Sequence, residues 1–188
     1  MAQAKTLTEK ELKRVLDFIR LRKHARRDRV MLLMTTWAGM RVGEVAALTV
    51  GDVRDVQGNV RDEVRLSKHQ TKGQHERTVF LPQKLRDEVA KYLIARSPIA
   101  DEQPLFYTQK RAGFTANTLT QHFHYLYKWA GITGASSHSG RRTFITGLAA
   151  KGVSVRVLAS LAGHKSIATT QAYIDVNDDM KRRAVELV

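Results

Sequence analysis

Residues 161–174 read Leu-Ala-Gly-His-Lys-Ser-Ile-Ala-Thr-Thr-Gln-Ala-Tyr-Ile. Gly163 is the residue type that ends a helix in the left-handed conformation, and Ser166 is the type that caps the next one. The stretch therefore predicts one helix over Val153–Ala162, a tight turn carrying His164, and a second helix over Ser166–Ile174. That second helix would deliver Tyr173 nine residues after the histidine. A tyrosine at a helix end is ordinarily half-buried packing, and this spacing alone does not separate packing from chemistry.

Three further stretches lie upstream. His-Ser-Gly-Arg-Arg-Thr-Phe-Ile-Thr at 138–146 puts His138 and Arg141 on one face of a helix expected over Ser139–Lys151, with Ser136 and Ser137 as candidate caps. A helix N-terminus repels added positive charge and attracts anions. The segment thus reads either as a solvated basic helix start or as an anion site. Residues 68–82, Lys-His-Gln-Thr-Lys-Gly-Gln-His-Glu-Arg-Thr-Val-Phe-Leu-Pro, predict a hairpin turning at Lys72-Gly73. Lys72 is either an ordinary exposed turn lysine or a flexible ammonium able to protonate a leaving oxygen. Residues 38–48, Ala-Gly-Met-Arg-Val-Gly-Glu-Val-Ala-Ala-Leu, set Arg41 at the start of a short helix (Val42–Leu48) with Glu44 three residues on. The pair is either a weak surface ion pair or a guanidinium fork held rigidly by a carboxylate.

Around these stretches the texture is helical. Thr8 to Glu11 forms a capping box ahead of Leu12, Val15, Leu16 and Ile19 at helical spacing. Further helices are expected over Asp28–Trp37, Lys84–Ala95 and Thr115–Ala130, and a last short one over Met180–Val188 with Ala184, Val185, Leu187 and Val188 apolar. Strands are expected at Val53–Val56, Glu63–Lys68 and Arg77–Leu81. The fold class is mainly α with a small three-stranded antiparallel β-sheet, and residues 1–188 read as one domain.

Charge distribution narrows the partner. The 188 residues carry a formal net charge of +14, and no Asp or Glu occurs from Gln103 to Ile174. A carboxylate-free half suits a surface that meets phosphates. A second basic cluster comprises Arg20, Arg22, Lys23, Arg26, Arg27 and Arg29, interrupted by Asp28. The absence of cysteine excludes disulfides, thiolate metal sites and thiol catalysis. No apolar run approaches the length of a membrane span, and the start lacks a secretory hydrophobic stretch. A cytosolic protein without membrane contact is expected, its basic surface suited to a polyanion. His122-x-His124 reads as surface rather than as a metal site, and no metal or cofactor is expected.

Taken in order, an arginine, a hairpin lysine, His-x-x-Arg, Gly-His and a tyrosine nine residues on resemble the catalytic domain of the tyrosine recombinase (phage integrase) family. The stretches at 39–53, 71–82 and 161–173 look like that family's boxes, and the likeness runs from about Thr8 to Val188. It implies a tyrosine recombinase catalytic-domain-like fold, with Arg41 and Arg141 as the two arginines, Lys72 as the hairpin lysine and His138 in the His-x-x-Arg box. His164 would be the histidine before the last helix and Tyr173 the nucleophile. By resemblance, the function is site-specific DNA recombination or integration through a covalent 3′-phosphotyrosyl intermediate. The partner would be double-stranded DNA, engaged by a homotetramer on two sites. Two positions depart from the family pattern: Arg142 stands where histidine is frequent, and Ser139-Gly140 precedes the arginine where an apolar residue is usual. Most relatives also carry an N-terminal core-binding domain, and this chain reads as the catalytic domain without it. The alternatives are a type IB topoisomerase-like nicking and closing enzyme and a non-catalytic DNA-binding module. The presence of Tyr173 argues against the last, because binding alone needs no nucleophile.

Overall fold

Helix α2 (Ala25–Trp37) is the axis around which the other elements pack. Val30, Met31, Leu32, Leu33 and Met34 are successive and all buried, so α2 has no polar face over this stretch. The computed structural model describes residues 4–71, 73–97, 99–110, 112–174 and 178–186. Helix α1 (Glu9–Arg20) opens with the expected capping box: Thr8 Oγ1 accepts from the Glu11 N–H at 3.2 Å, and the Glu11 carboxylate accepts from the Thr8 N–H at 3.0 Å. Its buried Val15 and Ile19 belong to the same core as α2.

The chain then runs through α3 (Val42–Ala46) and α4 (Val50–Val53), the hairpin β1 (Glu63–Leu66) and β2 (Arg77–Phe80), and α5 (Gln83–Ile94). After these come α6 (Ala116–Trp129), α7 (Ser139–Ala150), α8 (Val155–Ala162), α9 (Ile167–Gln171) and α10 (Asp178–Val185). The antiparallel register pairs Glu63 with Phe80 and Leu66 with Arg77. Val64, Leu66 and Val79 lie buried in the common core, which extends through Leu85, Phe106, Phe123 and Tyr127.

The sheet has two strands among the described residues, not three. The predicted strand at Val53–Val56 is absent for a local reason. Thr49 and Asp52 form a second capping box that winds Val50–Val53 into a helical turn. The Asp55 carboxylate then accepts from the backbone N–H groups of Gln57 and Asn59, folding the chain into a turn. Only an isolated bridge, Arg54 to Val60, remains of the pairing, and Val56 is 92% exposed.

Two other sequence readings change. In the second basic cluster, Arg22 and Arg27 pair with the buried Asp28, and Arg29 pairs with Glu88. This leaves Arg20, Lys23 and Arg26 as its exposed members. His122 is not a surface residue: its Nε2 lies 3.2 Å from Asp28 Oδ1, and its ring meets Phe114 edge-on. Burial works to raise the Asp28 carboxyl, but His122 and then Arg27 hold it below its usual range.

The departure at Ser139-Gly140 follows from the packing of α7 on α2. A Cβ on Gly140 would stand 2.1 Å from Thr35 Oγ1 and 2.9 Å from Thr35 Cβ, so only glycine permits the approach. Ser139 is buried and its Oγ accepts from the Ser136 N–H at 2.9 Å. We expect Gly140→Ala to destabilise the fold by about 1–3 kcal/mol through overpacking. Urea unfolding monitored by circular dichroism measures this, and an unchanged midpoint would mean that the two helices separate without cost.

Candidate active site

Helix α8 ends on Gly163, whose φ of 62° places it in the left-handed region. The backbone N–H groups of Gly163 and His164 turn back onto Ser160 and Ala159 at 2.9 Å each. The three carbonyls that follow, those of Leu161, Ala162 and Gly163, each accept from a different arginine. Arg77 Nη1 reaches Leu161 O at 3.2 Å, Arg141 Nη2 reaches Ala162 O, and Arg41 Nη2 reaches Gly163 O at 3.0 Å. A helix C-terminus carries unpaired carbonyls and partial negative charge, so it is a natural seat for cations.

Each guanidinium is held from a second side. Arg41 is the N-cap of α3, and Glu44 accepts from both its backbone N–H and its Nη1 at 2.8 Å. Arg77, on β2, approaches the same carboxylate with Nη2 at 3.2 Å. Arg141, in the first turn of α7, donates Nη1 to Gly39 O at 2.6 Å. The sequence raised two readings of Arg41–Glu44, and the rigid fork is the one observed: the Glu44 side chain is 1% exposed, Arg77 10% and Arg41 28%.

Three guanidiniums gather around one carboxylate that pairs with only two of them, and the electrostatics register the imbalance. Burial, then the charges of Arg41 and Arg77, pull Arg141 down to about 9, against the opposing influence of Glu44 and Tyr173. Burial also lowers Arg77, Glu44 opposing and Arg41 assisting. Burial followed by Arg141, Arg41 and Arg77 lowers His164 to about 4. At neutral pH Arg141 is therefore cationic and His164 neutral. His164 Nδ1 shares a 2.8 Å hydrogen bond with the Oγ1 of buried Thr170, which fixes the ring to α9.

Tyr173 follows α9 directly. Its ring stacks on His164, with centroids 5.8 Å apart and planes inclined by 19°, and Arg142 Cζ lies 5.4 Å from its centroid. Of the six sequence-predicted residues, Arg41, Arg141, His164 and Tyr173 are thus linked by direct contacts or mutual charge. His138 stands exposed at the N-cap of α7, one turn before Arg141. Lys72 lies outside the described residues. Its neighbours Thr71 and Gly73 line the same cleft of about 610 Å³ as Arg41, His75, Arg77 and His164. Arg77 was not singled out by sequence reasoning. The one available signal was its position two residues before Val79, on the inward face of a strand.

Among the described residues, no group of three or more His, Asp or Glu side chains comes together to hold a metal ion. No helix among them is long and apolar enough to cross a membrane.

The sequence model of the Phage integrase family matches residues 5–180. The chain belongs to that family. Among its relatives, the tyrosine recombinase XerA of Thermococcus kodakarensis is 34% identical over 185 residues, covering 97% of this chain and 62% of that protein. XerA of Pyrococcus furiosus is 30% identical over 186 residues, covering 97% and 61%. The chain therefore spans about three-fifths of the length of these curated relatives. A crystal structure of XerA recombinase superposes with a TM-score of 0.78 at 28% identity, covering 99% of this chain and 66% of that one. The Tn1549 transposon integrase, solved in complex with a circular intermediate DNA, shares the fold at a TM-score of 0.78 and 20% identity, covering all of this chain and 67% of that one.

The depressed His164 predicts a pH dependence. Between its ordinary value of 6.5 and its folded value of about 4, the unfolded chain binds a proton that the folded chain does not. Stability contributed by this group is therefore lost as pH falls through that window. His164→Gln should flatten the fall in thermal midpoint between pH 6.5 and 4, and the His164 ring resonance should titrate near 4. Orthophosphate placed among the arginines should move that midpoint upward, since a nearby anion favours imidazolium. An unshifted midpoint in the free protein would refute the account.

Proposed function

We propose that residues 1–188 form the catalytic domain of a site-specific DNA recombinase or integrase, which cleaves and rejoins duplex strands through a covalent 3′-phosphotyrosyl intermediate without a metal ion. One observation carries the reading. The guanidiniums of Arg41 and Arg141 meet at one helix terminus beside His164, and the Tyr173 ring is stacked on that histidine. Charge excess without a carboxylate partner for each cation suits a phosphodiester, whose non-bridging oxygens accept bidentate donors.

In this reading, Tyr173 Oη attacks phosphorus, passing its proton to solvent water, and a phosphotyrosyl bond forms as the bond to the 5′ oxygen breaks. Arg41, Arg141 and the neutral His164 donate to the non-bridging oxygens as charge builds in the pentacoordinate state. Lys72 supplies the proton to the departing 5′ oxygen, and His138 assists proton transfer or orients the phosphate. Attack by the 5′-hydroxyl of a partner strand reverses the steps and releases Tyr173. The relatives named as tyrosine recombinases and the DNA-bound Tn1549 integrase support DNA as the substrate. Assembly as a homotetramer on two sites agrees with α10, where Ala184 is exposed and Val185 is 67% exposed, leaving apolar surface for another protomer. Leu187 and Val188, the other apolar positions of that segment, lie outside the described residues.

Covalent trapping tests the proposal. Nicked duplexes from a random-sequence pool, incubated with the protein in chelator and then denatured, should yield a detergent-resistant adduct. Tyr173→Phe should bind DNA equally and give no adduct, and Arg41→Ala or Arg141→Ala should slow its formation by about 10²–10³-fold. An adduct that survives Tyr173→Phe, or one that requires magnesium, would overturn the mechanism. Exchange between two separate duplexes, beyond nicking and closing of one, then distinguishes a recombinase from a topoisomerase.

Lys72 has its own test. Lys72→Ala should slow cleavage strongly while DNA affinity changes little. A trapped duplex with sulfur in place of the leaving 5′ oxygen should restore the rate, because a thiolate leaves without a proton. Equal slowness with the sulfur substrate would exclude Lys72 as the acid and direct attention to Lys68.

A further inference from the structure

Arg142 is one of the few buried charged residues of the protein, 9% exposed in the first turn of α7. Its position is costly twice over. Burial removes its hydration, and the positive end of a helix repels it. No carboxylate among the described residues forms an ion pair with it. The compensation comes from two other groups. Thr6 Oγ1 accepts from its Nε at 3.1 Å, and the Tyr173 ring lies 5.4 Å from its Cζ.

Tyr173 needs such a partner. The helix that delivers it, α9, has only five residues, far too few for stability of its own. Its ring is otherwise located by stacking on His164. A nucleophile must sit within about 3–3.5 Å of the atom it attacks, so loss of ring order acts directly on rate.

We propose that Arg142 is a positioning residue for Tyr173, fixing the phenol ring by a cation–π contact that adds to the stacking on His164. The inference rests on the reading of Tyr173 as the nucleophile. It accounts for the departure at this position: arginine can bring its cation to the ring while Nε is still bonded to Thr6. It also ties the nucleophile to the segment before α1. Thr6 aims the guanidinium, and the next residue, Leu7, is fixed to α7 by its N–H donating to Thr143 Oγ1 at 2.8 Å. A cation–π contact of this kind changes the occupancy of the ordered ring position by a factor of about 2 to 30.

Two measurements test it. In protein carrying ring-labelled tyrosine, with the Tyr173 signal assigned by Tyr173→Phe, Arg142→Met should displace or broaden that signal without DNA present. In single-turnover trapping on a duplex recovered from the pool, Arg142→Met should form adduct about 2- to 30-fold more slowly at unchanged DNA affinity. Arg142→Lys, which keeps a cation, should recover most of the rate. An unmoved Tyr173 signal, an unaltered rate, or equal slowness of the methionine and lysine variants would overturn the inference. So would a loss of DNA affinity in step with the rate, which would make Arg142 a DNA contact. Should Arg142→Met fail to fold, Thr6→Val removes the hydrogen bond that aims the guanidinium. It should shift the same signal and slow the same step by a smaller factor, and no change in either would be equally fatal. Absence of any adduct from the unaltered chain would count against Tyr173 as nucleophile, while the DNA-free signal still reads the contact itself.

Discussion

Three guanidiniums on three successive carbonyls at the end of α8 are the interaction on which the site depends. Arg77 comes from β2, Arg141 from α7 and Arg41 from the N-cap of α3, so one helix terminus joins elements far apart in sequence. The left-handed Gly163 makes this possible. It returns the N–H groups of residues 163 and 164 to Ala159 and Ser160 and leaves the next three carbonyls facing the arginines. A side chain at 163 would also collide with Arg77, since a Cβ there would lie 2.7 Å from Nη1. The same turn carries His164, which ties it to α9 and so to the tyrosine.

The arrangement is electrostatically incomplete. Glu44 is the one carboxylate that pairs with this cluster among the described residues, and it serves two arginines at once. Arg77 Nε makes no hydrogen bond among them. Burial first, and then the like charges of Arg41 and Arg77, lower Arg141 to about 9, so both oppose folding. The helix dipole and the carbonyl bonds hold the cluster together without neutralising it. A bound phosphodiester would supply the missing negative charge and would meet donors already oriented, with little reorganisation during reaction. The same cluster leaves His164 neutral rather than a fourth competing cation.

Local chemistry made much of this legible. The capping box at Thr8, the hairpin at 63–80 and the helices around Trp37, Trp129 and Ala162 follow from side-chain type and spacing, because each is stabilised by groups a few residues apart. The failed strand at Val53–Val56 shows the limit of such reading. Its β-branched residues favoured extension, but the Thr49–Asp52 box and the Asp55 turn, both equally local, outweighed them. What could not be read was tertiary pairing. The cluster from Arg20 to Arg29 resembled a free basic surface, yet Asp28 and the distant Glu88 neutralise half of it. His122 meets Asp28 across 94 residues of sequence, and Arg77 meets Leu161 across 84. Pairings at such distance leave no periodic trace.

Tyr173 and the three arginines are mounted differently. Arg141 is buried and Arg41 and Arg77 are partly so, each with at least two fixed partners, whereas Tyr173 follows a five-residue helix held mainly by its packing against α8. The ring stacks on His164, which is itself bonded to Thr170, and the Arg142 guanidinium lies nearby. Weak contacts of this type can be exchanged one for another at small cost, and burial of the arginines cannot. The arginine seat is thus set by the core, and the place of the tyrosine by a short element packed on α8. His164 belongs to both parts, since its backbone closes the arginine seat and its ring bears the tyrosine. Displacing the turn at Gly163 would therefore disturb the arginine cluster and the tyrosine together, which makes that single left-handed residue the joint between them.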